Sequence, residues 1–366
     1  DHEDNIAKAL AAFNIAISLD PNYGDAYVGL AEAQRKQFIN TQSSSVLNSM
    51  EKTVGQLVKV DPDHHLLSYL KGELMANKGD YLLAIKLFEK SVKQHANFFM
   101  SYSSLSDSYL KLGQADKAEK ILLTAHERMP NNIEILISLG ALNFESGNYY
   151  QAIDYFSLVA KNAPNNYIAY LNISACYYFN GDIKKAILAA QQALNIQENP
   201  NVFSNLGTYY FILKDYSKAV KAFEQMIALN DTDYMNWGNL ADAYLFASND
   251  KYSDTFRQAI ILAEKALALN PNNKTAISSL AYYYANVGNS KKSVFYAEQI
   301  TKNDLGENQF FIAAAYTRIH MNKAALDYIE YAINNNYSIA EIIRSPLLEN
   351  LKSESKYLQL ITKVPE

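Results

Sequence analysis

Apolar and small residues return in a fixed order along most of the chain. In residues 99–132 the order is Tyr102, Leu105, Ser106 and Tyr109, then Gly113, then Ala118, Leu122 and Ala125, then Pro130. Steps of three and four put each set on one helix face. Gly113 can stop the first helix in the left-handed region, and a proline ring cannot continue the second. The spacing therefore predicts two helices joined by a tight turn. Residues 133–166 repeat the order with Leu136, Leu139, Gly140, Gly147, Ala152, Phe156, Val159 and Pro164. Residues 167–199 repeat it with Tyr170, Ile173, Ser174, Tyr177, Gly181, Ala186, Ala190 and Ala193. Pro130 and Pro164 stand 34 residues apart, and Pro200 and Pro271 fall near multiples of that period. Each of these prolines is expected to close a second helix.

The period continues both ways. Residues 200–233 supply Phe203, Leu206, Gly207, Tyr210, Ala219 and Phe223; residues 234–273 supply Trp237, Leu240, Ala241, Tyr244, Ala259 and Ala263. Residues 274–305 carry Ile277, Leu280, Ala281, Tyr284 and Gly288, and a degenerate unit at 306–334 carries Ile312, Ala313, Tyr316, Ala325 and Ala332. Upstream, residues 65–98 hold Gly72, Gly79, Ala84 and Phe88, residues 24–64 hold Tyr27, Leu30, Ala31 and Pro62, and residues 1–23 hold the half-unit Ala9, Phe13, Ala16 and Pro21.

This order resembles the tetratricopeptide repeat, W-x2-L-G-x2-Y followed by A-x3-F and a closing proline. The resemblance implies an all-α superhelical solenoid of about nine to ten hairpins over residues 1–334. Residues 335–366 would be a capping segment. There, Ser345-Pro346-Leu347-Leu348 and Tyr357-Leu358 predict a short helix, a turn, and a closing helix over the open end of the stack. Gly140 and Ala152 are expected where paired helices cross, with Tyr109 and Phe156 reaching into the next hairpin. Residues 37–46 and 248–254 lengthen two repeats and are expected to extend turns, as surface loops or as lips that shape ligand access.

Hydrophobic residues at 49% and charged residues at 19% allow a packed core. A net charge of -5 supplies no basic field for phosphates, so nucleic acid is not an expected partner. No run of 18 apolar residues offers a membrane span. The single Cys176 excludes an intrachain disulfide, and six dispersed histidines give no zinc spacing. No phosphate loop, nucleophile elbow or dinucleotide fingerprint occurs. We therefore expect no catalytic residues, metal or cofactor. Residues 6–18 read as a helix already under way, as in a piece of a longer protein or a mature chain. The arrangement is also similar to the repeat region of bacterial membrane-anchored serine/threonine kinases or winged-helix regulators. That similarity implies a cytoplasmic or periplasmic signalling segment and leaves the compartment open.

In the family the first helix of each hairpin lines the concave groove. Reading the sixth position of successive repeats gives Ser104, Ser138, Asn172, Asn205, Asn239 and Ser279. The three asparagines resemble the asparagine ladder of the O-linked N-acetylglucosamine transferase repeats, which implies an extended peptide held by its backbone. A primary amide donates to a peptide carbonyl and accepts from its N–H, so it grips without reading sequence. Asn can equally be a residue this register merely tolerates. Tyr178, Phe211, Phe246 and Tyr282 could seat apolar side chains or pack on the adjacent hairpin. Glu134, Glu145 and Asp242 make the groove neutral to mildly acidic. The expected partner is a neutral or weakly basic peptide, bound by a monomer or weak homodimer.

Overall fold

The computed structural model describes residues 2–362, and all regular structure among them is helical. The chain divides into two compact units, Asp1–Asn165 and Asn166–Glu366. The first contains α1 (His2–Leu19), α2 (Gly24–Thr41), α3 (Ser44–Val60), α4 (Leu67–Asn77), α5 (Tyr81–Gln94), α6 (Phe99–Lys111), α7 (Ala115–Arg128), α8 (Ile133–Glu145) and α9 (Tyr149–Asn162). The second contains α10 (Tyr167–Phe179), α11 (Ile183–Ile196), α12 (Pro200–Ile212), α13 (Tyr216–Leu229), α14 (Tyr234–Phe246), α15 (Tyr252–Leu269), α16 (Lys274–Asn286), α17 (Ser290–Ala297), α18 (Gly306–Arg318) and α19 (Asn322–Asn334). It ends with α20 (Ile339–Arg344), a 3-10 turn (Pro346–Leu351) and α21 (Ser355–Thr362).

Hairpins close by seating a ring of the second helix on bare backbone of the first. A Cβ built on Gly72 would lie 2.5 Å from Phe88, one on Gly140 2.6 Å from Phe156, and one on Gly207 2.4 Å from Phe223. Those three rings are at most 2% exposed. Phe156 therefore sits on its own hairpin, where Gly140 leaves room for it. Tyr109 does cross between hairpins, toward the preceding one: its Oη donates to Glu89 at 3.1 Å. Tyr244 to Glu224 and Tyr284 to Glu264, both 2.6 Å, repeat that bond at the same separation. Lys117, Lys251 and Lys292 lie 5.5, 5.6 and 4.5 Å over the three tyrosine rings. Each such tyrosine is tied to the hairpin before it and roofed by a lysine of its own hairpin.

Two sequence expectations change. Pro130, Pro164 and Pro271 follow the ends of α7, α9 and α15, but Pro200 opens α12, where a missing N–H leaves no bond unmade. The extra residues also lengthen helices more than turns. Residues 37–41 continue α2 and residues 44–46 begin α3, leaving only Gln42 and Ser43 between; residues 252–254 begin α15.

The turn inside a hairpin needs a left-handed residue, which Gly147 supplies at φ 78 and Ser248 at φ 55. A side chain there costs about 1 kcal/mol. Ser248→Gly should raise stability by about that amount, and Gly147→Ala should lower it by a similar amount. Gly140→Ala should cost about 2 kcal/mol by pushing Phe156 off its seat. Thermal unfolding of the three variants checks each sign.

Candidate functional site

After α19 the chain stops stacking hairpins. α20 and the 3-10 turn run back over the first helices of the second unit. Tyr178 on α10 donates its Oη to Glu341 on α20 at 2.5 Å. Arg344 Nη1 donates to the Tyr178 carbonyl at 3.1 Å, with its guanidinium 5.8 Å from the Tyr178 ring. Beyond α12, Lys214 pairs with Glu349 at 3.2 Å. Ser345 Oγ accepts from the Leu347 N–H at 3.2 Å and so starts the turn. Ile342, Leu348 and Leu351 are wholly buried in the core cluster that holds α16, α18 and α19. The segment is thus built into the unit. A six-residue helix is only ~9 Å long, yet it reaches α10 while the turn that follows packs on α18. Five first helices laid flat at ~9 Å spacing would span roughly 36 Å, so the row curves around the segment.

The closing helix does pack on α19. Lys356 bridges Asp327 at 2.6 Å and Glu330 at 3.3 Å, and Tyr357 is buried. The short helix and turn do something the sequence did not indicate: they occupy the inner face. The last four residues of the segment, 363–366, lie outside the described ones.

Asn172, Asn205 and Asn239 stand at one register on α10, α12 and α14, each half-buried. None of their amides makes a hydrogen bond among the described residues. Asn205 precedes Thr208 by one turn on the same face, and Thr208 meets the C-terminal segment in a pocket of about 140 Å³. That pocket is also lined by Asn239, Asp242, Phe211, Pro346 and Leu347. Of the other sequence candidates, Tyr178 is buried beneath Glu341 and Arg344, and stacks on Tyr209 at 5.1 Å. Phe211 meets Phe246 edge-to-face at 5.2 Å.

Two candidates need correction. Ser279 is 1% exposed and Tyr282 3%, so neither faces a ligand; both are packed into the unit's core. Ser138 belongs to the first unit, where its hydroxyl donates to the Glu134 carbonyl at 2.9 Å along its own helix. Sequence reasoning missed Glu341, Arg344, Pro346 and Leu347, and only the Ser345-Pro346 step hinted at an irregular segment.

Asp242 lies deep in the pocket, 8% exposed, accepting from the Tyr282 hydroxyl at 2.5 Å. Burial pushes its carboxyl up to about 7, against the pull of the Tyr282 hydroxyl and of Arg318. Burial and the neighbouring Asp242 charge push the Tyr282 phenol well above its ordinary value.

A raised carboxyl keeps its proton in the folded state after the unfolded chain has lost it. Between about pH 4 and 7 the native state binds more protons, so stability falls as pH rises through that window and then levels off. Asp242→Asn mimics the protonated form. Wild type and variant should match near pH 4, and the variant should be more stable above pH 7 by on the order of a few kcal/mol. Paired thermal melts across that range read the difference.

Tetratricopeptide repeat models match residues 104–167, 144–203 and 201–233. The "BBSome complex member BBS4" of Bos taurus is 26% identical over 212 residues, covering 56% of this chain and 38% of that protein. "Anaphase-promoting complex subunit 3" of Schizosaccharomyces pombe is 22% identical over 157 residues, covering 43% and 24%. The "Hsp70-Hsp90 organizing protein" of Triticum aestivum is 25% identical over 124 residues, covering 34% and 20%. The chain thus spans well under half the length of these curated relatives. A solved tetratricopeptide repeat protein from Parabacteroides merdae superposes with TM-score 0.51 at 13% identity, covering 74% of this chain and 99% of that one. The "APC/C hetero-tetramer Cut9-Hcn1" gives TM-score 0.51 at 21% identity, covering 76% and 52%. Repeat matches through residues 104–233 identify tetratricopeptide repeats in this chain, and the same ring-on-glycine seat recurs outside them at Gly72 and Phe88.

Proposed function

We propose that the inner face of the second unit binds an extended peptide segment of a protein partner, held by its backbone through Asn172, Asn205 and Asn239. One observation carries this reading. Three primary amides repeat at one register of successive first helices, half-exposed and without a partner among the described residues. A half-buried amide with unused donors and acceptors is poised for a peptide bond, which offers one of each. The neighbouring C-terminal segment supports the reading, because this face already accommodates a stretch of polypeptide. It also narrows the site. Asn239 lines a pocket with Pro346 and Leu347, and Asn172 and Asn205 do not.

Each amide is worth roughly 1 kcal/mol in an ordinary hydrogen bond. The triple variant Asn172→Ala, Asn205→Ala, Asn239→Ala should weaken partner binding roughly a hundredfold. Its melting temperature should stay near that of wild type, since no internal bond is lost. Capture from a lysate of the source organism, wild type beside variant, makes the comparison. A partner retained equally by the folded variant overturns the ladder.

A further inference from the structure

The pocket between the first helices and the C-terminal segment has a composition that backbone binding does not use. Its aromatic lining comes from Tyr178, Phe211, Phe310, Phe311 and Tyr337, and its charges are the carboxylates of Asp242 and Glu341. No Lys or Arg stands among the described residues that line it. At about 140 Å³ it has room for one small group, well below the size of a site for a whole cofactor. Phe211, Phe311, Tyr337 and Glu341 are only half-buried, so the space is reachable. At its rim the Arg344 guanidinium already lies over the Tyr178 ring, an internal example of the same attraction.

We propose that this pocket is a binding site for an alkylammonium cation, presented by a protein partner as a lysine or methylated-lysine side chain. Ring faces carry negative charge and attract a cation held against them. Glu341 is already met by Arg344 at 3.5 Å and by the Tyr178 hydroxyl, whereas an apolar guest would fit the rings but bury Asp242 further without compensation. A cation satisfies the rings and Asp242 together. The assignment deepens the peptide reading and rests on it only for the source of the cation.

A bound cation favours the charged form of Asp242, so affinity should rise with pH. The groups that act on that carboxyl are Tyr282 and Tyr283 from α16 and Arg318 from α18, while Glu341 from α20 and Tyr178 from α10 line the same pocket. Asp242 releases its proton near 7, so the gain should approach tenfold between about pH 6 and pH 8.

The test titrates the full chain with choline and with 3,3-dimethylbutan-1-ol, its uncharged carbon isostere, observed by NMR. Choline should perturb the signals of Phe211 and Phe311 and bind about tenfold more tightly than the alcohol. Phe311→Leu and Asp242→Asn should each weaken choline more than they weaken the alcohol. The rise of choline affinity with pH in the unaltered protein keeps the proposal testable should either variant fold poorly. Equal binding of the two compounds, no binding of either, or a pH-independent choline affinity overturns it. A glycine-flanked trimethyllysine peptide should bind more tightly than choline and lose that gain in the Asn172→Ala, Asn205→Ala double variant, whose positions do not line the pocket. If choline binds but the peptide gains nothing, the pocket stands and the peptide groove falls.

Discussion

Where Phe156 lies across Gly140, two helices approach more closely than any Cβ would permit, and the same contact recurs at Gly72 and Gly207. A hairpin closed this way has a flat, apolar flank that it cannot cover alone. It is covered only by the next hairpin, so stability accumulates through neighbours along the chain. The tyrosine bonds from Tyr109, Tyr244 and Tyr284 fix the rotation between hairpins, because each ring must satisfy a carboxylate one hairpin back and accept a lysine of its own. Within each unit, repetition of these contacts brings the first helices into a row with one shared face.

That shared face carries the candidate site. In the second unit the row curves enough for a short C-terminal segment to touch α10 and α18 together. The segment is anchored by wholly buried Ile342, Leu348 and Leu351 and polar where it meets α10. It converts an open groove into a groove with a wall. The pocket at that wall combines rings, two carboxylates and an amide, a mixture that neither the repeats nor the segment carries alone.

The hairpins were legible because their signals are local: small residues at the crossing, glycine at the turn, and proline near the helix ends. The asparagine register was legible for the same reason. Exposure was not. Ser279 shares the register of Asn239, yet it is buried in the crowded core around α16 and α18. Pro200 reads like its counterparts but sits one position inside a new helix. The C-terminal segment was illegible in principle, since the bonds that place it join Tyr178 to Glu341 and Arg344 across more than 160 residues. No periodicity reports a contact at that separation.

The claim that most of this account rests on is that the C-terminal segment sits on α10. A double-mutant cycle with Tyr178→Phe and Glu341→Gln measures it directly by chemical unfolding. The account predicts a coupling of about 1 kcal/mol between the two sites, the loss of one bond shared by both. Effects that simply add, within about 0.3 kcal/mol, would contradict it and release the segment from the face.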